Sequence, residues 1–413
     1  MVDAHQDVMA RIACGEGMPD FYAREVTQDS QCYGDWSQDI YKDVNLLYGE
    51  CRDMASYGYE RDEQGWPLIK ECNREPFFKY YTTVESLSIF DALYTNRLGL
   101  QDSFVNYWSA LIAKFSSNPY IIGFDPINEP FPSDFIREPS ILEPGVFDRE
   151  KLAPLYERIN EAMRRVSRHQ IMYFETAEYP DWTPGHVRPA GFLTPPGGEV
   201  GSLNHVLNDH SYCCQLGPDI CSTGEPAADK AVECENWHRD RIMTRAEDAK
   251  KLQIPLMITE FGACYDSEVC AREIRQVADY SDKALSIGWA YWQFKYYQDL
   301  TTTAGTGSQG FYNQDGSLQQ HKLKALTRTY LQRIQGDLLQ TSFNSESSHF
   351  EAIIKLDPEV SAPTVLFASR EFWYPNGFRV HVSSVKTSKP VNYFIRETEV
   401  DNVFELEIDS KEQ

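Results

Sequence analysis

Short apolar runs alternate with longer segments of helical spacing through most of this chain. Six runs have the length and the β-branched and aromatic content of buried strands, and they lie at 1–5, 121–127, 171–175, 203–210, 255–260 and 286–292. Apolar residues recur at helical spacing in the segments 37–58, 83–98, 102–116, 148–168, 239–252, 268–285 and 319–335. This alternation of strands and helices predicts a parallel (β/α) barrel, of the TIM-barrel class, over residues 1–335.

The pattern changes beyond residue 335. Short and partly alternating runs follow one another at 350–356, 364–370, 377–385, 391–397 and 403–410. Turn sequences such as Asp357-Pro358 and Asp401-Asn402 separate them. We therefore predict a second domain at 336–413, a small antiparallel β-sandwich.

The composition limits the possible partners. The 413 residues are 42% hydrophobic, which is ample for a barrel core and a small extra domain. A formal charge of −23 should repel nucleic acid and anionic membrane surfaces. No run of eighteen apolar residues occurs, so the sequence predicts no transmembrane helix.

Ten cysteines are many for a cytosolic enzyme, and none of them forms a CxxC pattern. Their even number favours disulfides and a secretory or lysosomal route over free thiols. Cys213, Cys214, Cys221 and Cys234 lie in one polar loop that disulfides could close. Cys264 and Cys270 could close a second loop, but the sequence leaves the connectivity open.

Two glutamates stand at the carboxyl ends of apolar runs. Glu129 ends the run in IIGFDPINEP, and Glu260 ends the run in PLMITEFGA. Parallel barrels carry their catalytic side chains at this end of the strands, and a buried carboxylate is costly unless it is paired or used. A single Glu there could equally be the first polar residue of a loop. The pair favours the acid and the nucleophile of a glycosidase.

The motifs INEP and ITEFGA, together with WAYWQFK at 289–295 and DAHQD at 3–7, resemble family five of the glycoside hydrolases. The similarity is greatest to the endoglycoceramidase-like branch of that family. Two weaker features support the branch. They are the aromatic loops at 131–147 and 176–202 and a C-terminal domain containing REFWYPNGF at 370–378.

This resemblance implies roles for individual residues. Glu129 is expected to be the acid/base and Glu260 the nucleophile of a retaining mechanism, with their carboxyl groups about 5–5.5 Å apart. Asn128 is expected to hydrogen-bond the sugar 2-hydroxyl. His210 and Tyr212 are expected to share one strand face, with the Tyr hydroxyl on the nucleophile. Alternatively, Asn128 only caps a turn and His210 is a core histidine.

Further residues are expected to bind the sugar. Trp292 would form the floor of the site, because sugar C–H faces pack on indole, whereas Trp289 is assigned to the core. His5 and Asp7 would hold sugar hydroxyls, or else form an ion pair at a strand end. The mechanism requires neither a metal nor a redox cofactor.

The resemblance also bears on completeness. In the family the NEP strand is the fourth and the TEFG strand the seventh, so the DAHQD strand corresponds to the third. The first two βα units are therefore expected to be missing, most simply because the sequence is truncated at its N-terminus. The absence of a leader before Val2 carries little weight in that case.

These observations predict a monomeric retaining β-glycosidase that cleaves the bond between glycan and ceramide in glycosphingolipids at a membrane surface. Three alternatives remain open. The first is an exo-acting β-glucosidase on glucosylceramide or a steryl glucoside, and the second is a cellulase-like polysaccharide hydrolase. The third is an inactive fragment that binds glycolipid without turnover.

Overall fold

The computed structural model describes residues 1–29, 32, 58–179, 181–183, 186–217, 220–221, 224–262, 264–295, 309–313 and 315–409. Almost all of the helix predicted at 37–58 lies outside these residues. The chain divides into two compact units. The first unit comprises Met1–Asp209, Thr244–Met257 and Tyr297–Thr303. The second comprises His210–Met243, Ile258–Tyr296 and Ala304–Gln413.

The strands of the described residues are, in chain order, β1 (Val2–Asp3), β2 (Gly123–Asp125), β3 (Ile171–Glu175), β4 (Trp182–Thr183), β5 (His186–Val187), β6 (His205–Ser211), β7 (Leu256–Phe261), β8 (Tyr330–Arg333), β9 (Gly336–Asn344), β10 (His349–Leu356), β11 (Thr364–Phe367), β12 (Tyr393–Glu397) and β13 (Val403–Ile408). The α-helices are α1 (Asp20–Gln28), α2 (Ile69–Cys72), α3 (Phe78–Tyr81), α4 (Val84–Tyr94), α5 (Leu100–Phe115), α6 (Ala153–Val166), α7 (Ala231–Leu252), α8 (Glu268–Lys283) and α9 (Gln320–Leu326). Within the part of the chain that is described, no helix is both long and apolar enough to span a membrane.

The strands β1, β2, β3, β6 and β7 form one five-stranded sheet, in the order β1-β2-β3-β6-β7. β1 pairs in parallel with β2, β2 with β3, and β3 with β6. The predicted parallel sheet and five of its six predicted strands are thereby confirmed. Parallel pairing places the carboxyl ends of these strands along one edge of the sheet.

The sixth predicted strand, at 286–292, pairs only at single positions in the second unit. Ile258 bridges to Trp289, and Gly262 bridges to Trp292, both in parallel. Ile258 donates its N–H to the Gly288 carbonyl, and Trp292 donates to the carbonyl of Phe261, so the segment follows β7 without forming a continuous ladder.

The helices of the first unit pack apolar faces against the sheet. Trp108 and Ile112 of α5 are fully buried, and the Trp108 indole N–H donates to the carbonyl of Pro126 at 3.1 Å. α4 ends at Tyr94, earlier than the predicted 83–98. The reason is that Asn96 and Leu98 adopt positive φ angles of 58° and 56°, which a helix cannot continue through.

Two other helix predictions were wrong in their bounds. α7 begins at Ala231, eight residues before the predicted start at 239. α9 ends at Leu326 instead of 335, because Thr327 leaves the helical conformation and Tyr330–Arg333 then forms strand β8. The short helices α1, α2 and α3 were not predicted.

The C-terminal part of the second unit is antiparallel. Four strands form a sheet in the order β12-β13-β11-β8, and β9 and β10 form a hairpin. Leu366, Ala368 and Phe404 make the core of the sheet, and Phe350 of the hairpin packs against them. The run predicted as a strand at 377–385 forms only one bridge, from Ser383 to Pro390, since most of its side chains are exposed and make no ladder.

Disulfides close several loops, as the cysteine count predicted. Cys14 is bonded to Cys72 in the first unit. In the second unit, the bonded pairs are Cys213–Cys234, Cys214–Cys221 and Cys264–Cys270. Cys32 is also disulfide-bonded, and the described residues contain no free cysteine.

The two extreme loop lengths predict different stabilities. Cross-links stabilise more when they enclose more residues, and the separations are 58 residues for Cys14–Cys72 and 6 for Cys264–Cys270. Replacing the first pair by alanine should lower the free energy of unfolding by about 2 kcal/mol more than replacing the second. Urea denaturation measures both, and equal losses would contradict this expectation.

Candidate active site

In the first unit, the end of β1 is joined to the segment that follows β2. Asn128 donates its backbone N–H to the Ala4 carbonyl at 3.2 Å and its side-chain amide to the Gln6 carbonyl at 3.1 Å. The Gln6 side chain donates to the carbonyls of Asn128 and Glu129, at 2.8 Å and 3.1 Å. Asn128 is buried, and the bond to Gln6 uses one of its two amide hydrogens.

Glu129 is held in an unusual backbone conformation. Its φ is +40°, in the left-handed region that residues other than glycine seldom occupy. Its N–H donates to Oε2 of Glu175 at 2.9 Å, and Pro130 follows it without an N–H of its own. The backbone of Glu129 is therefore held by one side chain at its N–H and by another, that of Gln6, at its carbonyl.

Buried polar side chains continue from Glu175 along the sheet. Asn208 on β6 pairs in register with Glu175 on β3. The Asn208 amide lies 2.6 Å from Oδ2 of Asp125 and 3.3 Å from Oε1 of Glu175, and it donates to both. Sequence reasoning missed all three residues. In the sequence, Asp125 and Glu175 are acidic residues after apolar ones, and Asn208 is one of several polar residues in its strand, so nothing singled them out.

His5 and Asp7 lie beside each other just after β1. The His5 ring nitrogens lie 3.3 Å from Oδ2 of Asp3 and 3.4 Å from Oδ2 of Asp7. The hydroxyl of Tyr81, which the sequence did not single out, donates to Oδ1 of Asp7 at 2.5 Å. Burial raises the pKa of Asp7, and the negative charge of Glu129 raises it further, whereas the hydrogen bond from His5 lowers it.

Some groups of the described residues have the composition of a metal site. His5, Asp7 and Glu16 could offer three ligand atoms within 4.8 Å of one another. The hydrogen bond from Tyr81 and the contacts of His5 already engage this group. Cys213 and Cys234 lie near Glu273, but their sulfurs are joined in a disulfide.

In the second unit, Glu260 near the end of β7 is contacted from the end of β6. The hydroxyl of Tyr212 donates to Oε1 of Glu260 at 2.6 Å. Nδ1 of the buried His210 lies 3.8 Å from the same oxygen. The structure thus brings together the His, the Tyr and the second Glu that the sequence predicted.

A buried network supports the backbone of this strand end. Ser211 points to the opposite face from His210 and Tyr212, and its hydroxyl lies 2.7 Å from Nδ1 of His238 on α7. Nε2 of His238 lies 2.9 Å from Glu273 on α8. This network could not be predicted from sequence, because its members are distant along the chain.

The segment after β7 carries the two tryptophans. The rings of Trp289 and Tyr291 pack edge-on against the buried Phe261, at centroid distances of 5.6 Å and 5.7 Å. Trp289 therefore belongs to the packing behind β7, as predicted. Successive residues of an extended segment alternate in direction, so Trp292 lies on the opposite face from Tyr291.

Gly262 is required where this segment approaches β7. Its φ is +132°, and a Cβ on it would lie 2.6 Å from the carbonyl oxygen of Trp292. Any other residue at this position would push the two segments apart. The Trp292–Gln293 peptide bond is cis.

Several aromatic residues of the loops at 131–147 and 176–202 pack inside the protein. Phe131, Phe147 and Phe192 are buried. Phe147 packs against Tyr94, and Phe192 packs against Phe174 within the first unit. These three side chains stabilise their own loops and do not offer a surface to a lipid. The side chain of Trp182 lies outside the described residues.

The chain belongs to glycosyl hydrolase family 5. The sequence profile described as Cellulase (glycosyl hydrolase family 5) matches residues 79–298. The profile of the glycoside hydrolase family 5 C-terminal domain matches residues 328–407. The chain is therefore related to glycoside hydrolases over both of its sequence regions.

Two similar proteins are both named endoglycoceramidase. Endoglycoceramidase of Cyanea nozakii is 26% identical over 92% of this chain and 67% of its own length. Endoglycoceramidase of Hydra vulgaris is 26% identical over 98% of this chain and 68% of its own length.

The fold is also similar to that of a solved structure. The solved structure of endo-glycoceramidase II from Rhodococcus sp. superposes with a TM-score of 0.67 at 17% identity, over 99% of this chain and 77% of that chain. Structures of the same protein as its lactosyl-enzyme intermediate and in complex with ganglioside GM3 superpose equally well, each with a TM-score of 0.66. The fold is a TIM-barrel type of parallel sheet followed by an antiparallel sheet domain.

The raised pKa of Asp7 predicts a specific pH dependence of stability. A carboxyl group whose pKa in the folded state exceeds its ordinary value of 3.8 favours folding while it is neutral. This contribution is complete below pH 3.8 and is lost as the pH rises through the folded pKa. Wild-type protein should therefore lose stability relative to Asp7→Asn over that interval, as measured by urea denaturation at several pH values.

The exposed Asp401 provides the control for this measurement. Asp401→Asn should follow the wild-type pH dependence throughout. A constant difference between wild type and Asp7→Asn at all pH values would mean that the carboxyl of Asp7 is not held neutral by burial.

Proposed function

We propose that this protein hydrolyses the bond between glycan and ceramide in glycosphingolipids, with retention of anomeric configuration. The observation that carries the proposal is the hydrogen bond of 2.6 Å from Tyr212 to Glu260 at the carboxyl end of a parallel strand, in a chain of family 5. The relatives named endoglycoceramidase, which cover 92% and 98% of this chain, support the substrate class.

Glu260 is the proposed nucleophile. Its carboxylate attacks the anomeric carbon, a bond forms between that carbon and a carboxylate oxygen, and the bond to the ceramide oxygen breaks. The O–H of Tyr212 donates to the carboxylate and so favours its ionised form. When the covalent bond has formed, the same hydroxyl remains beside the ester oxygen.

Glu129 is the proposed acid/base. The leaving oxygen of ceramide is an alkoxide and needs a proton as its bond to the sugar breaks, which protonated Glu129 donates. The ionised Glu129 then removes a proton from the water that hydrolyses the glycosyl-enzyme, and both carboxyl groups return to their starting states.

The remaining residues bind the sugar in this proposal. Asn128 has an amide hydrogen to donate to the 2-hydroxyl, and that bond tightens in the transition state. His5 and Asp7, whose side chains contact each other at 3.4 Å, hold other hydroxyls. Trp292 packs against the sugar face from the side of its segment opposite Tyr291, and His210 orients the nucleophile.

We further propose a barrel domain at 1–335 without its first two βα units and a β-sandwich at 336–413. The strand order β1-β2-β3-β6-β7 supports the barrel domain. The packing of Phe350 against the core of the four-stranded sheet supports the sandwich. Strand β8 at Tyr330–Arg333 pairs with β11 of the C-terminal sheet, although it lies before the proposed boundary at 336.

The location and the partners are likewise proposals. Disulfides such as Cys14–Cys72 and Cys213–Cys234 support a secreted or lysosomal protein, because such bonds persist in oxidising compartments. We propose that it acts as a monomer on glycolipid at a membrane surface.

The products of hydrolysis test the substrate class. With lactosylceramide as substrate, the enzyme should release intact lactose and ceramide, which chromatography and mass spectrometry identify. Its kcat/KM should exceed that for an alkyl lactoside of short chain by orders of magnitude, since each CH₂ that leaves water contributes about 0.8 kcal/mol.

Other product patterns would contradict this proposal. Free glucose released from glucosylceramide, with no attack on lactosylceramide, would favour the exo-acting β-glucosidase. Equal rates on soluble cello-oligosaccharides would favour a polysaccharide hydrolase. Binding of lactosylceramide without turnover would indicate a glycolipid-binding fragment.

The two glutamates should fail in different ways. Glu129→Ala should lose far more activity on phenyl than on dinitrophenyl β-lactoside, because only the poorer leaving group needs a proton. Azide should restore part of its rate and give the β-azide. Glu260→Gln should lose activity on both lactosides, with a barrier higher by several kcal/mol, and azide should not give a β-azide with it. An α-azide from Glu129→Ala would instead make Glu129 the nucleophile.

A further inference from the structure

We propose that Glu175 is a positioning residue for the acid/base, acting through the backbone of Glu129. This inference rests on the proposed role of Glu129. Glu175 ends β3, the strand next to β2 in the sheet, and is only 3% exposed. Its Oε2 accepts the N–H of Glu129 at 2.9 Å, so it contacts the proposed acid/base through the backbone.

The conformation of Glu129 explains why such a contact is needed. A non-glycine residue in the left-handed region is strained and stays there only when its surroundings hold it. The N–H of Glu129 is fixed by Glu175, and its carbonyl accepts from Gln6 at 3.1 Å. Loss of either contact allows the peptide to relax to negative φ, which turns the side chain of Glu129 in a different direction.

Glu175 is itself held rigidly. Tyr156 of α6 makes two contacts of 3.3 Å with the backbone of Glu175, its hydroxyl donating to the carbonyl and accepting from the N–H. Asn208 on β6 donates to Oε1 at 3.3 Å. The carboxylate that holds Glu129 is thus fixed from a helix and from the neighbouring strand, which is the arrangement expected of a supporting residue.

Asn208 also joins Glu175 to Asp125. Its amide donates to Oδ2 of Asp125 at 2.6 Å, and Asp125 ends β2, four residues before Glu129. Both ends of the β2–Glu129 segment are therefore tied to one amide, directly at Asp125 and through Glu175 at Glu129. This arrangement fixes the length and direction of the segment that carries the acid/base.

The test compares two lactosides that differ only in their leaving group. Glu175→Ala and Glu175→Asp both remove the contact with Glu129, the second by shortening the side chain by one methylene while keeping its charge. Each should lose on the order of tenfold or more in kcat/KM on phenyl β-lactoside relative to dinitrophenyl β-lactoside. The alkaline limb of the pH profile, which reports the protonated acid, should shift as well.

Glu71→Ala is the matched control. Glu71 is as buried as Glu175, at 3% exposure, but it pairs with Arg74. This variant should lower thermal stability and affect both lactosides equally. If Glu175→Ala does not fold, Glu175→Asp alone decides, since it retains a carboxylate in the same strand.

The outcomes separate the two proposals. Equal losses on both lactosides in the Glu175 variants, with a leaving-group effect in Glu129→Ala, would overturn the positioning role and leave the acid/base intact. No leaving-group effect in Glu129→Ala would overturn the acid/base assignment itself. A leaving-group effect in all three variants, and none in Glu71→Ala, is the result that we expect.

Discussion

This site depends on one constraint, which is that the carboxylates at the carboxyl ends of its parallel strands need hydrogen-bond donors. Such a group is removed from bulk water, and its charge is costly unless donors reach it. In the first unit, Glu175 receives the N–H of Glu129 and the amide of Asn208. In the second unit, Glu260 receives the hydroxyl of Tyr212. The donors that make these carboxylates tolerable also fix their directions, so stability and placement have one cause.

The helices α7 and α8 stabilise this arrangement by fixing the backbone behind it. Ser211, between His210 and Tyr212, is tied to α7 and α8 through His238 and Glu273. Leaving any of these buried groups without its partner costs about 1–3 kcal/mol. Such a loss would destabilise the end of β6, which carries Tyr212. Substitutions of His238 or Glu273 are therefore expected to disturb the position of Tyr212.

The sequence predicted what depends on local pattern. Glu129 and Glu260 were found because each ends an apolar run, and Trp289 was assigned to the core by its spacing from Trp292. Glu175 and Asn208 were missed because strand periodicity does not tell which residue of a neighbouring strand will be a partner. The strand predicted at 377–385 did not form, since an alternating pattern does not supply a pairing edge. The burial of Phe147 could not be predicted, because aromatic content alone does not distinguish a ligand-binding surface from loop packing.

The central claim is that Glu260 forms the covalent bond to the sugar. Incubation with a dinitrophenyl glycoside of a 2-deoxy-2-fluoro sugar should trap the glycosyl-enzyme. The fluorine slows both the formation and the hydrolysis of this intermediate, whereas the good leaving group accelerates only its formation, so the intermediate accumulates. Proteolysis and mass spectrometry then locate the label. The account predicts that the labelled peptide contains Glu260 and that Glu260→Gln is not labelled. A label on Glu129, or inactivation without any covalent adduct, would contradict it.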